Sequence, residues 1–209
     1  MNITTLETAG FRPAVAIAMR NPMDSWEKSD SKWLYHDDDS KLQYEIGEKD
    51  EDLSERLQEA GPEHCKHLRM IFVWADINAP RYWWAEIDTY RAGVEKVSCS
   101  TMHKLMARKL MLNDFAIDDT ENPEFQTVIG YINNLMDKYK DTEDQKEKKE
   151  IWRHIIQYLP QSYLHKRTVC MSYAALRNIV RQREGHKLKE WKAFIDWAHT
   201  LPNSWMIFK

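Results

Sequence analysis

The chain has 209 residues, of which 43% are hydrophobic and 30% charged, which is enough apolar mass for a packed core and excludes wholesale disorder. Its formal net charge of -3 excludes the basic excess expected of a protein that binds a nucleic acid polymer along its phosphates. Its 3 scattered cysteines, its charge-interrupted apolar stretches and its lack of a basic leader predict a cytoplasmic protein without a membrane span.

The first third of the sequence predicts a short buried helix and then irregular structure. Pro13 precedes an alanine-rich apolar run and suits the first position of a helix, which Asn21-Pro22 ends. From Met23 to Glu51 the sequence predicts an ordered loop, or a hairpin around Trp33-Leu34-Tyr35. The acidic cluster Asp37-Asp38-Asp39 is interpreted as a solvated turn.

The middle of the chain predicts two helices, a strand and a third helix. Apolar residues of Asp52 to Ala60 share one helical face, and Pro62 starts a second helix that continues to His67. Met70 to Trp74 is short, apolar and partly β-branched, which favours a strand. Pro80 then opens a segment that we expect to be helical as far as Arg91.

The C-terminal half predicts helices. Phe125 to Tyr139 follows the spacing of an amphipathic helix closely, and the mixed charges of Lys138 to Glu150 indicate an exposed helix end or connector. Further helices are predicted over Ile151 to Leu159, Cys170 to Arg183 and His186 to His199. We therefore predict an α+β fold, a single helix-rich domain over residues 1–209 with a small, mostly antiparallel sheet.

Several common kinds of site are disfavoured. No glycine arrangement matches a dinucleotide-binding turn or a P-loop, and no GxSxG elbow is present. His64 and His67 share a helical face but lack a third ligand at diagnostic spacing, so no metal site is predicted. Cys99 is more simply a structural thiol than a nucleophile. Arginines beside apolar residues suit bidentate recognition of a small anion, although ion pairing with acidic residues explains any one of them; they are Arg20, Arg69, Arg81, Arg91, Arg177, Arg181 and Arg183.

Three segments, in order, resemble the flavin-dependent thymidylate synthases. Gly61 to His103 resembles the central motif region, with Glu63-His64, the Pro80-led helix, Thr89-Tyr90-Arg91 at the Arg-His-Arg position and Ser98-Cys99-Ser100 at the serine position. Ala14 to Trp26 is similar to the early helix that ends in Arg and Ser. Leu159 to Trp191 is similar to the C-terminal Leu-Pro, Tyr and Asn-x-Arg-x-Leu stretch.

The sequence departs from the family pattern mainly at positively charged positions. Of Arg-His-Arg only Arg91 is present, and Thr101 stands where an arginine follows the serine position. The Asn and Arg of the C-terminal motif are replaced by Ser172 and Ala174. Arg81 and Lys104 are candidates to compensate.

The resemblance implies a divergent flavin-dependent thymidylate synthase-like methyltransferase of dTMP biosynthesis. In such an enzyme FAD, reduced by NADPH, supports transfer of a one-carbon unit from methylenetetrahydrofolate to C5 of dUMP, in a homotetramer. It implies catalytic roles for Arg91 and Ser100, and flavin contacts by His64, Arg91, Ser172 and His186. The implied dUMP-binding residues are Arg20, Ser98, Cys99, Ser100 and Arg183.

Two other hypotheses stay open at this point. The lost motif residues are consistent with a catalytically degenerate oligomer of the same fold that only binds nucleotides or interacts with other molecules. An unrelated helical adaptor with an aromatic protein-binding surface is the third hypothesis.

Overall fold

The computed structural model describes residues 1–36 and 41–209, with no side-chain description for His36, Lys41, Met102 and His103. The predicted turn at Asp37 to Asp39 lies outside the described residues. The chain forms two compact units. The first unit comprises Met1–Asn2, Ile77–Thr89 and Val97–Arg167, and the second unit comprises Ile3–Asp76, Tyr90–Lys96 and Thr168–Lys209. The single domain over 1–209 stays a prediction.

The strands form a four-stranded sheet and a separate hairpin. The larger sheet has the order β1-β4-β6-β5, and β2 pairs antiparallel with β3, with Lys32 opposite Glu45. The strands are β1 Asn2–Ala9, β2 Lys32–His36, β3 Lys41–Glu45, β4 Phe72–Pro80, β5 Val94–Ser98 and β6 Leu164–Ser172.

Helices make up most of the remaining regular structure. The α-helices are α1 Glu48–Ala60, α2 Arg81–Ile87, α3 Thr101–Lys104, α4 Pro123–Asp141, α5 Gln145–Tyr158, α6 Tyr173–Arg183, α7 Lys189–His199 and α8 Trp205–Phe208. A π-helical segment covers Pro13–Ala18, and a 3-10 helix that matters below covers Lys66–Met70. Among the described helices, none combines the length and apolar character that crossing a bilayer requires. The predicted helix-rich α+β fold with small antiparallel sheets is confirmed.

Most predicted helices are confirmed, and of the two alternatives for Met23 to Glu51 the structure has the hairpin, formed by β2 and β3, with α1 already beginning at Glu48. The expected helix from Pro62 to His67 is wrong, because a turn precedes the 3-10 helix and leaves too few residues for an α-helix. The helix predicted from Cys170 begins at Tyr173 because Cys170 to Ser172 end strand β6. Strands β1 and β5 were not predicted, because both are largely exposed and lack a continuous apolar run.

The core of the first unit lies between α4 and α5. Ile132 and Met136 of α4 and Ile155 of α5 are fully buried, and Phe115 packs beside them, its ring edge-on to that of Tyr163. Asn122 accepts a hydrogen bond from the Phe125 amide at 2.9 Å and so begins α4 at the residue before Pro123. The buried positions of α4 are therefore among the apolar positions from which the amphipathic helix was predicted.

The second unit is packed with large aromatic side chains. Trp191 and Phe194 of α7 are fully buried with ring centroids 5.7 Å apart. Tyr173, at the start of α6, meets Phe11 edge-on at 5.5 Å, and its amide donates to the Ile71 carbonyl at 2.9 Å. These contacts fix the first turn of α6 beside the start of β4.

Candidate functional site

A cavity of about 620 Å³ opens within the second unit, a volume typical of small-molecule sites. One wall comes from the turn and short helix between Pro62 and Phe72, and another from Ala92 and Gly93. The third wall is Ser172 together with the α6 residues that face the cavity as far as Arg181. Apolar surface at Leu68 and Phe72 therefore faces guanidinium groups across one space.

Gly93 and Ser172 are held together where two of these walls meet. The Ser172 amide donates to the Gly93 carbonyl at 2.9 Å, and its hydroxyl accepts from the Ala175 amide at 3.2 Å and caps α6. Gly93 has φ +70°, and a Cβ there would lie 2.5 Å from the Ser172 hydroxyl oxygen. The position therefore requires glycine for its backbone conformation and for space.

Arg177 is the most unusual charged residue of the cavity. Its side chain is 8% exposed, and its Nη1 donates to the Cys65 sulfur at 3.6 Å. Its buried Nε has no hydrogen-bond partner among the described residues. Burial, and then the charge of Arg181, lower the pKa of Arg177 below its usual value. The site thus holds a desolvated cation whose nearest identified partner is a thiol.

A second cavity of about 680 Å³ shares Pro62, Arg177 and Arg181 with the first. Glu55 and Glu59 of α1 line it, and Glu55 forms an ion pair with Lys209. Arg181 donates to the main-chain oxygen of Lys209. Arg177 is therefore shared by two cavities of the second unit.

His67 lies buried close to this arginine. Its Nε2 is 2.9 Å from the Ser54 hydroxyl, and its buried Nδ1 has no partner among the described residues. Burial, and then the Arg177 charge, lower the pKa of His67 to about 4, so the imidazole is neutral at pH 7. A neutral histidine can donate or accept a hydrogen bond here, but it adds no charge to the cavity.

Three predicted or motif residues, Arg183, His186 and Tyr90, meet around Trp191. Arg183 donates from Nε to the Tyr90 hydroxyl at 2.9 Å, and its guanidinium carbon lies 4.6 Å from the Trp191 ring centre. The His186 ring is edge-on to Trp191 at 6.2 Å, and its Nδ1 accepts from the Leu188 amide at 3.1 Å. The structure thus brings Arg183 and His186, assigned to different ligands, together with the central motif's Tyr90.

Arg20, assigned to dUMP, lies in a buried ion pair. Its Nε and Nη2 both lie 2.6 Å from Oδ1 of Asp50, which is fully buried. The other carboxylate oxygen accepts from Ser29 and Ser31, each at 2.5 Å. The charge of Arg20 is therefore balanced within the protein, and its contact with dUMP stays a prediction.

The remaining assigned residues are exposed or lie in the other unit. Arg91 and His64 are exposed in the second unit, and neither lines the 620 Å³ cavity. Ser98, Cys99 and Ser100 belong to the first unit. There the Cys99 amide donates to the Lys166 carbonyl at 2.9 Å, and the Cys99 carbonyl lies 2.5 Å from His165 Nε2. Burial is the largest cause of the lowered pKa of His165.

Ser172 is the assigned residue that lines the cavity. The other lining residues were not assigned to a ligand from the sequence. Arg177, Arg69 and Arg181 were recognised as arginines beside apolar residues, but not as one group. The available signal was spacing: residues 177 and 181 are four apart on α6, which places them on one helical face. Gly93 and Asn178 carried no such signal.

The fold of this chain is similar to that of solved flavin-dependent thymidylate synthases. The flavin-dependent thymidylate synthase ThyX from Helicobacter pylori, complexed with FAD and dUMP, matches with a TM-score of 0.73 and 18% identity, over 100% of this chain and 98% of that one. A second ThyX structure from Helicobacter pylori, with FAD and dUMP, matches with the same TM-score and coverage at 17% identity. No family model matches the sequence, and no curated protein does. The resemblance found in the motifs is confirmed at the level of the fold.

Proposed function

We propose that this protein is a divergent flavin-dependent thymidylate synthase-like enzyme that binds FAD and dUMP. The two similar solved structures, both of ThyX from Helicobacter pylori, contain FAD and dUMP. The observation that supports the proposal best is which segments of the chain form the walls of the cavity. Every residue lining the 620 Å³ cavity lies in Gly61 to His103 or in Leu159 to Trp191, the two larger segments with family motifs. Two segments that are far apart in sequence therefore meet at one cavity.

The residues around the cavity fit a planar ligand that carries phosphate. Leu68 and Phe72 offer apolar surface for a ring system, and Gly93 leaves room that a Cβ would fill. Arg177 provides a buried positive charge, and Ser172 begins α6 at the cavity wall. These residues would hold the flavin.

When bound, the flavin would supply redox chemistry, with NADPH as the reductant, for the proposed transfer of a one-carbon unit from methylenetetrahydrofolate to C5 of dUMP. Cationic side chains bind anionic groups and stabilise negative charge as it develops. Arg91 and Ser100 stay proposed as catalytic residues. His64, Arg91, Ser172 and His186 stay proposed for the cofactor, and Arg20, Ser98, Cys99, Ser100 and Arg183 for dUMP.

The second candidate function is a catalytically degenerate nucleotide-binding or interaction oligomer. Its support is that two expected nucleotide-binding arginines are already engaged within the protein. Arg20 is paired with buried Asp50, and Arg183 donates to Tyr90, which stands at the histidine position of Arg-His-Arg. A site whose cations are neutralised or stacked binds phosphate more weakly.

One set of measurements on purified protein separates the two. The enzyme proposal predicts a flavin absorbance spectrum, and NADPH oxidation that depends on dUMP and methylenetetrahydrofolate. Binding of dUMP without turnover would favour the degenerate oligomer, and binding of neither FAD nor dUMP would contradict the enzyme proposal. The proposed homotetramer is tested by light scattering at the same time.

A further inference from the structure

Among the described residues, no carboxylate forms an ion pair or a hydrogen bond with the Arg177 guanidinium, although Glu55 and Glu59 line the second cavity that it shares. The side chain is 8% exposed, its Nη1 faces the Cys65 thiol, and its Nε lacks a partner among the described residues. Within the part of the chain that the structure describes, no carboxylate lines the 620 Å³ cavity, whereas Arg69, Arg177 and Arg181 all do. The lining of this cavity therefore carries positive charge, and the carboxylates of Glu55 and Glu59 line the second cavity instead.

A buried cation of this kind destabilises a fold unless an anion reaches it, because the guanidinium has lost its water and gained no partner of opposite charge. A lowered pKa, caused by burial and then by Arg181, is the expected consequence. Removing charge at this position should therefore not harm the ligand-free fold. An arginine with a purely structural role behaves in the opposite way.

We propose that Arg177, with Arg69 and Arg181 beside it, forms a subsite for the phosphate group of a nucleotide or flavin ligand. A guanidinium pairs with two phosphate oxygens through a planar fork of N–H groups. Ala174 and Ala175 line the same cavity at the N-terminus of the 11-residue helix α6, where the helix dipole adds to the attraction for an anion. The identity of the ligand rests on the proposed function.

The subsite also accounts for the departures from the family motifs. The sequence lacks two residues of Arg-His-Arg, and Ala174 replaces an arginine of the C-terminal motif. Arg177 lies three residues after Ala174 on the same helix, so its charge returns to the same helical face one turn later. Positive charge has moved along α6 and remains at the cavity.

The test compares Arg177→Met with two other variants of the full chain. Methionine keeps an unbranched apolar stem in the buried site, and Arg177→Lys retains the charge without the fork. Arg56→Met is the matched control, because Arg56 lies in the same unit and is 65% exposed in a surface pair with Asp52. The probes are inorganic phosphate and pyrophosphate, then FAD against riboflavin and dUMP against deoxyuridine. Calorimetry gives Kd, and thermal unfolding gives Tm.

We expect phosphate or pyrophosphate to bind the wild type and Arg56→Met equally. Arg177→Met should bind them about ten- to a hundredfold more weakly, the range expected for losing a charge-assisted hydrogen bond, and Arg177→Lys should be intermediate. Without ligand, the Tm of Arg177→Met should equal or exceed that of the wild type. In the wild type, FAD should bind more tightly than riboflavin, or dUMP more tightly than deoxyuridine. The pair whose difference in Kd disappears in Arg177→Met identifies the ligand that places its phosphate at Arg177.

The proposal is overturned by a wild type that responds to none of the phosphate-bearing probes, or by equal binding in Arg177→Met. A lower ligand-free Tm for Arg177→Met would also overturn it, since the ligand-free fold would then gain stability from this arginine. FAD and dUMP binding that is independent of Arg177 would leave the proposed function standing without the subsite. Phosphate binding that depends on Arg177, in a protein that binds neither FAD nor dUMP, would support the subsite and contradict the proposed function.

Discussion

Replacing Asp50 by alanine should destabilise the protein strongly. Asp50 is fully buried and balances Arg20, which is 6% exposed and lies 2.6 Å from its Oδ1. Alanine would leave this guanidinium buried without a partner, whereas Ser29 and Ser31 are partly exposed and regain water. Breaking a buried pair in this way costs about 3–5 kcal/mol of unfolding free energy. For a chain of this size that corresponds to a fall in Tm of about 6–20 °C.

Urea unfolding of the ligand-free protein measures this cost, with two further variants as controls. Asp52→Ala breaks the exposed pair with Arg56, where the two side chains are 66% and 65% exposed, and should cost less than about 1 kcal/mol. The double variant Arg20→Met/Asp50→Leu removes both buried charges and should recover most of the stability. A cost for Asp50→Ala as small as that for Asp52→Ala would refute the reasoning.

The stable double variant then tests the assignment of Arg20 to dUMP. If Arg20 serves only the fold, the double variant binds dUMP with the wild-type Kd. If its guanidinium also contacts the phosphate, affinity falls although stability is restored. Calorimetry with dUMP separates the two roles, which Arg20→Met alone would confuse because it leaves Asp50 buried without its cation.

Two further predictions concern His67, which is buried near Arg177, and Gly93, which lines the cavity. Burial and the Arg177 charge lower the pKa of His67 from 6.5 to about 4. Between these two pH values the unfolded chain binds a proton at His67 that the folded chain does not. The contribution of neutral His67 to the free energy of unfolding is therefore complete above pH 6.5 and falls by about 3 kcal/mol as the pH drops to 4. Urea unfolding at both ends of this range should show the slope, and His67→Gln should abolish it. Gly93→Ala should lower Tm by the equivalent of about 1–3 kcal/mol, since its Cβ would meet the Ser172 hydroxyl at 2.5 Å with φ at +70°. Gly130→Ala, in α4 with open space around it, should raise Tm, and a fall of equal size in both variants would contradict the steric argument.

The elements that the sequence predicted correctly are those whose burial is periodic and local. Helix α4 was predicted from apolar residues that recur every three or four positions, and those residues face its core. The Pro80-led helix was recognised from its first residue but ends at Ile87, where Asp88 and Thr89 form a turn and the Thr89 hydroxyl donates to the Glu86 carbonyl at 2.7 Å. Strands β1 and β5 gain their hydrogen bonds from partners far away in the chain, so their own residues show little pattern.

The candidate site was less predictable, because sequence patterns do not reveal how a charge is balanced. Arg20 and Arg177 both stood beside apolar residues, and both are buried. The difference between them is set by Asp50, which lies thirty residues from Arg20 and pairs with it. No comparable carboxylate faces Arg177 in the cavity described above. The family motifs assigned Arg20 to dUMP and assigned no ligand to Arg177.

The partners of the three buried or half-buried arginines of the second unit decide what each can do. Arg20 is paired with a carboxylate, and Arg183 is held by the Tyr90 hydroxyl and the Trp191 ring, so both guanidiniums are fixed by the protein itself. Arg177 faces a thiol and a cavity. Electrostatic binding needs charge that is oriented but not yet compensated, since a charge that is already neutralised gains little from a ligand. Arg177 meets that condition, and binding at this site should therefore depend on it more than on Arg20, whose charge is already balanced by Asp50.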